Sequence, residues 1–325
     1  MSQKIEISSR TIVFTVFFLL GLALLWQIKD LIFSLFIAFI IAGALQPLVS
    51  FLETRRFPRL VASLIVYLGF VFVIGYLFAL VVPPLALEIT HLLKNLPHII
   101  AKTFPNLTNE FDLSFVQQNL PNLANRLLDI IRGFFSNIIF ITTTLFFGFY
   151  LLLEKNPVGR LLRVFLDKNK VRKIEATVEK AQRRTSGWFW GELILMTIVG
   201  IMTYVGLLLI GMKYAVALAV LAGMLEIVPS LGPIVSTVPA ALIGFSHSPI
   251  LGLSNIALYF VVQQLENHLV VPIVMKKVTG LHPIVTLVVL LVAGQIAGIL
   301  GVLLAVPATI FVTTILKESQ KIPIQ

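Results

Sequence analysis

The chain has 325 residues, 58% hydrophobic and 12% charged, with mean hydropathy +0.98 and a formal net charge of +10. A soluble domain carries about 25% charged residues; half that share cannot cover a water-facing surface, so lipid must solvate much of this one. There is no cysteine, which excludes disulfides, thiolate metal sites and cysteine nucleophiles, and the basic residues lie in loops rather than in a stripe with stacking aromatics, which argues against nucleic acid.

Crossing a hydrocarbon core takes roughly 20 apolar residues in a helix. Such runs cover 11–28, 31–52, 60–82, 134–153 and 193–210, with a sixth at 250–275. The first follows Lys4 and Arg10 and runs straight into Trp26, Lys29 and Asp30 without a small-x-small cleavage site. It reads as an uncleaved transmembrane helix, not a signal peptide. The expected organisation is an N-terminal section of three helices (1–82), a small helical extracytoplasmic insert (83–133), a fourth helix (134–153), a basic cytoplasmic loop (154–192), a C-terminal core (193–316) and a cytoplasmic tail (317–325).

The loops set the orientation. Arg55, Arg56 and Arg59 lie between the second and third spans, and residues 154–184 hold ten Lys and Arg against four Asp and Glu. Residues 83–133 are balanced, four against four. The positive-inside bias puts the first two loops in the cytoplasm and the balanced segment outside, with both termini inside. In the outer segment Leu92, Leu93, Leu96, Ile99 and Ile100 keep a helical period, and Pro97, Pro105 and Pro121 suggest breaks between short helices on the outer face. The basic loop reads as an amphipathic helix through Val171, Ile174, Val178 and Ala181. Trp188 and Trp190 then fit an interfacial aromatic anchor.

The C-terminal third departs from this pattern. Residues 214–228 are apolar but only about 22 Å long at helical rise. Pro229, Ser230, Leu231, Gly232 and Pro233 follow, and then a second short apolar leg, 234–245. Two short legs around a Pro/Gly apex predict a re-entrant hairpin, whose irregular backbone must be buried in protein or face water. A second interruption comes later, where Gly294, Gln295 and Gly298 break an apolar run that continues through Gly301 and Pro307. Lysines 276, 277, 317 and 321 place both ends of that pair in the cytoplasm. Paired interrupted helices point to a transporter's binding site, although two ordinary short crossing helices satisfy the same charge pattern.

Polar residues inside the sixth span are the other signal. Gln263, Glu266 and Asn267 fall on one helical face, flanked by Gln264 and His268. Such groups line a solute or ion pathway or clamp helices together by hydrogen bonds. Glu226, just before the first apex, carries the same two readings, and Gln295 and Ser230 are candidates at the apices. The five histidines have no metal-ligand spacing. No Walker loop, nucleophile elbow or catalytic carboxylate pair is present, so the sequence calls for no enzyme, cofactor or nucleotide.

These same stretches carry a family resemblance. The runs 226–233 (EIVPSLGP), 264–272 (QLENHLVVP), 279–283 (TGLHP) and 298–307 (GILGVLLAVP) resemble the signatures of the autoinducer-2 exporter family of bacterial membrane transporters; so do 51–59 (FLETRRFPR) and Pro83–Pro84. The resemblance covers nearly the whole chain in order. It implies an all-α transporter of the bacterial cytoplasmic membrane, assembled as a homo-oligomer, that moves a small polar solute such as the furanone-type quorum signal. It also implies that Pro229, Gly232 and Pro233 form the first apex, Glu266 and Asn267 the polar face, and Gly298, Gly301 and Pro307 the second break. Two rival readings stand beside export: a sodium/proton antiporter that uses an intramembrane glutamate, Glu226 or Glu266, and a membrane scaffold that transports nothing.

Overall fold

The computed structural model describes residues 9–103, 137–228, 232–275 and 283–320. Among the described residues the chain is helical apart from short turns, with no strand. In order come α1 (Ser9–Gln27), α2 (Lys29–Thr54), α3 (Arg59–Thr103), α4 (Ile138–Leu153), the short α5 (Pro157–Leu162), α6 (Lys168–Leu209), α7 (Ala215–Leu225), α8 (Gly232–His247), α9 (Pro249–Leu265), a π-helical turn (Glu266–Val270), α10 (Val271–Met275) and α11 (Pro283–Ser319). Six stretches are long and apolar enough to cross a membrane, while α4, α7 and most of α8 are shorter apolar helices. Pro229 and Ser230 of the first apex, and the insert beyond Thr103, lie outside the described residues.

Two helices outrun the expected boundaries. The amphipathic segment and the fifth span form one 42-residue helix, α6, because its glycines stand singly and no proline interrupts it. Its buried residues Ala181, Thr185, Trp188, Glu192, Leu195, Val199 and Thr203 recur every three or four positions, one face along most of its length. Trp188 on that face is 3% exposed and packs with Val306 and Ile310, so it is a core residue and not a membrane anchor. Trp190 is 37% exposed, and its indole donates to the Ala44 carbonyl at 2.9 Å. Helix α3 likewise runs 45 residues, through Pro83, Pro84 and the break expected at Pro97. A proline removes one backbone hydrogen bond and crowds the preceding turn, and here the helical period on either side carries the helix through.

Helices α2, α3 and α4 form a frame around Leu45, Val49, Ala62, Tyr67 and Leu152. Arg59 ties it together: its guanidinium donates to the carbonyls of Leu153 at 2.7 Å and Leu152 at 2.9 Å, the unpaired C-terminal end of α4. The second unit packs α7 and α8 against α6 and α9, around Leu207, Leu218, Ala222, Ile243 and Tyr259. Small residues let these backbones approach. A Cβ on Gly223 would stand 2.5 Å from the Met196 carbonyl oxygen of α6.

Both interrupted pairs double back. At the first, α7 packs on α8, and a Cβ on Gly232 would overlap the Leu225 carbonyl. At the second, Gly298 adopts φ 59° and ψ −138° inside α11, a conformation open to glycine and strained for other residues. The two legs then fold together so that a Cβ on Gly301 would run into the carbonyl of Ala293. Eight residues of straight helix would hold those positions about 12 Å apart. Pro307 lies within the second leg.

Three contacts bring the basic loops and the C-terminal end to one side of the molecule. Arg59 reaches the end of α4, Lys155 pairs with Glu53 at 3.7 Å, and Lys180 of α6 pairs with Glu318 at 2.7 Å. The turns at 210–214 and 248 lie at the far ends of α6 and α8. Because the chain has no cysteine, single cysteines report sidedness cleanly. In intact cells an impermeant thiol reagent should label Lys213→Cys and spare Asn169→Cys and Ser319→Cys until the membrane is permeabilised. Labelling at 169 in intact cells would reverse the orientation.

Candidate functional site

The second unit encloses three carboxyl groups. Glu192 projects from the buried face of α6, Glu226 follows the last residue of α7, and Glu266 opens the π-helical turn after α9. They are 2%, 1% and 3% exposed, so each is enclosed by the protein. The Glu226 and Glu266 carboxyls are neighbours, and Glu192 lies within electrostatic reach of both. The Gln263 amide, one turn before Glu266, donates to its Oε2 at 3.1 Å.

The local backbone explains how they meet. Glu226 closes a helix of only 11 residues, so it sits at the depth where α7 stops. The packing of α7 on α6, through Gly200 and Gly223, brings that end against the face that holds Glu192. A π-turn inserts an extra residue into the helical repeat and is often found at functional sites. Here it begins at Glu266, which keeps the register of the buried face of α9, four residues after Val262, while Asn267 and His268 are left exposed.

The electrostatics are one-sided. Among the described residues no lysine or arginine pairs with these three glutamates. Among the described residues, both oxygens of Glu192, Oε2 of Glu226 and Oε1 of Gln263 have no hydrogen-bond partner. An ionised carboxylate only accepts, so a hydrogen bond between two carboxyls requires a proton on one of them, which then donates. Two unit charges about 4 Å apart repel by roughly 4 kcal/mol even at an effective dielectric near 20. A proton or a small cation would relieve the repulsion among three carboxylates enclosed together.

Of the residues singled out from the sequence, the structure brings together Glu226, Gln263 and Glu266. Asn267 and Gln295 are exposed, and Ser230 is outside the described residues. Gly294 lies against Val302, where the legs of α11 meet. Hydropathy misses Glu192, because it starts the fifth span one residue later and leaves this glutamate in the basic loop. The signal that finds it is register: Glu192 is four residues after Trp188 and three before Leu195, in step with the buried face of α6.

A cavity of about 750 Å³ opens elsewhere, between α2, α5 and α6, lined by Gln46, Ser50, Gln182, Ser186 and Trp190. The charged residues around it are already matched, Glu154 with Arg160, Glu175 with Arg163 and Glu179 with Arg183. Those acidic groups thus have cationic partners, which the three glutamates lack among the described residues.

Residues 12–321 match the family model described as AI-2E family transporter. The chain is 29% identical over 303 residues to "Putative transport protein YueF" of Bacillus subtilis, covering 86% of this chain and 82% of that one. It is 25% identical over 318 residues to "Putative permease PerM" of Escherichia coli, covering 91% and 89%.

Substitutions separate the enclosed groups from the exposed ones. Glu266→Gln and Glu192→Gln should each slow transport at least about tenfold, equivalent to ~1.4 kcal/mol, with normal insertion. Asn267→Ala should stay within about twofold, because its side chain faces away from the cluster. Transport assays on purified variants in liposomes check this, and equal losses at 267 and 266 would contradict it.

Proposed function

Because the chain belongs to the AI-2E transporter family and is a membrane transporter, we propose that it exchanges protons for a monovalent cation at the Glu192–Glu226–Glu266 cluster. The observation that carries this reading is the burial of three carboxyls on three helices without a cationic side chain. Each proton that leaves uncovers a negative charge in a poorly hydrated interior, and burying an unpaired charge costs several kcal/mol. A cation entering the same cluster removes that cost. Protons and cation then compete for one site, the condition for exchange coupling.

The two hairpins supply the moving parts. Short legs end inside the hydrocarbon depth, where their backbone groups need protein or water. Rocking of the α7–α8 and α11 hairpins against the frame would open the cluster to one side at a time. Both termini are assigned to the cytoplasm, and the membrane to the bacterial inner membrane. Helix α1 has 0% of its apolar window buried within the chain, which leaves it for lipid or for further copies in a homo-oligomer.

Export of the quorum signal is the second reading, favoured by the name of the matching family model. The same cluster would then load a proton as the neutral solute leaves.

Proteoliposomes with a pH-sensitive dye inside separate the two. A sodium or lithium gradient should drive proton flux in the opposite direction. The apparent affinity for the cation should fall as the pH is lowered, because protons occupy the carboxylates. Efflux of the signal molecule with no cation-dependent proton flux would overturn cation exchange in favour of export.

A further inference from the structure

Helix α9 carries more buried polarity than the cluster uses. Asn255, Tyr259, Gln263 and Glu266 lie at i, i+4, i+8 and i+11, which confines them to one face about 80° wide at 100° per residue. Asn255 is 0% and Tyr259 3% exposed. Three of the four carry an atom with no hydrogen-bond partner among the described residues: Asn255 Oδ1, the Tyr259 hydroxyl and Gln263 Oε1. The Asn255 amide nitrogen donates to the Met212 sulfur at 3.3 Å, a weak acceptor.

The facing helix adds another such group. Gly206 of α6 packs directly on Leu258 of α9, and the two helices run antiparallel. Thr203, one turn inward on α6, therefore stands at the level between Tyr259 and Gln263. It is 0% exposed, and its hydroxyl has no partner among the described residues. Further inward, Gly191 packs against Met275, so Glu192 stands near the level of α10, below Glu266.

Buried polar atoms are nearly always satisfied, because a buried polar group left without a partner has lost its water and gained nothing in return. Four such atoms on the buried faces of α6 and α9, three of them on one face of α9, call for a common partner. We propose that the face of α9 bearing Asn255, Tyr259 and Gln263, with Thr203 opposite, is a narrow water path that connects the glutamate cluster to the outer side of the membrane. Asn255 lies about 16 Å outward of Glu266 along the helix, near the outer turn at Ser248. Glu192 lies on the inner side of the cluster. The line thus enters from outside, passes Glu266 and Glu226, and ends at Glu192.

This inference rests on the exchange reading for its purpose but not for its existence. The titratable groups facing the path are Tyr259 and Glu266 on α9, Glu192 from α6 and Glu226 from α7. Helix α8, packed on α9, has His247 as its only titratable residue, exposed at its outer end.

The test uses the full-length protein in oriented proteoliposomes. Single cysteines replace Asn255, Tyr259 or, as a lipid-facing control, Leu253, which is 61% exposed. Silver ion, a thiol-reactive cation small enough for a water file, is added from the outer side. Asn255→Cys and Tyr259→Cys should react at least tenfold faster than Leu253→Cys. In a second measurement Tyr259→Phe, which removes only the hydroxyl, should slow proton uptake from outside several-fold. Its response to internal pH should stay as in the wild type. Equal silver reactivity at all three positions, with external proton uptake by Tyr259→Phe unchanged, would overturn the path. If Glu266→Gln still slowed exchange in that case, the cluster would stand without it. If Glu266→Gln were fully active while silver reached 255 and 259, the path would stand and the exchange reading would fall.

Discussion

A carboxyl group shut away from water must hold a proton, find a cation or be surrounded by donors. Glu192, Glu226 and Glu266 meet that constraint together, and much of the C-terminal half is arranged around it. Gln263 provides one donor, at 3.1 Å from Glu266, and among the described residues no lysine or arginine pairs with them. A structural clamp would be expected to match its charges, as the frame does where Arg59 caps α4 beside Glu53. The cluster leaves its charge to be settled by something that comes and goes.

Backbone geometry makes the cluster accessible to rearrangement. Full-length helices would carry Glu226 through to an interface, whereas α7 stops after 11 residues and leaves it at depth. The bend at Gly298 does the equivalent for α11, folding one leg against the other through Gly301 and Ala293. Contacts between small residues bring backbones together with few interlocking side chains, as at Gly200 and Gly223. Interfaces of this kind can slide between two packings more readily than a core of interdigitated large residues. The frame of α2, α3 and α4 packs around Leu45, Val49, Tyr67 and Leu152, and in the proposed mechanism the hairpins rock against it.

Much of this architecture is legible in the amino-acid sequence. Hydropathy locates the spans, since in lipid the backbone has little choice but helix, and the Pro/Gly clusters mark both reversals. Glu226 and Glu266 stand out because charge is rare in such company. Glu192 does not, since a span boundary drawn from hydropathy alone ends at the first charge it meets, and only the register of the buried face shows that the helix continues through it. Asn267 misleads for a different reason. A helical wheel puts it in line with Gln263, one turn earlier, but it lies about 100° round from Glu266, beyond the edge of the buried face of α9, and it is exposed. A proline such as Pro97 signals a break by its chemistry, yet a helix as long as α3 absorbs the lost hydrogen bond.

The most direct measurement of the central claim is infrared difference spectroscopy on the purified protein in lipid, with and without sodium. The carbonyl stretch of a protonated carboxylic acid is separate from that of a carboxylate, so it reports the proton on the cluster itself. With the cluster working as a proton–cation exchanger, adding sodium should diminish the protonated-carboxyl band, with proton release to the medium. Glu266→Gln should remove most of the change. A protonated-carboxyl band indifferent to sodium and lithium in the wild-type protein would contradict exchange at these three glutamates.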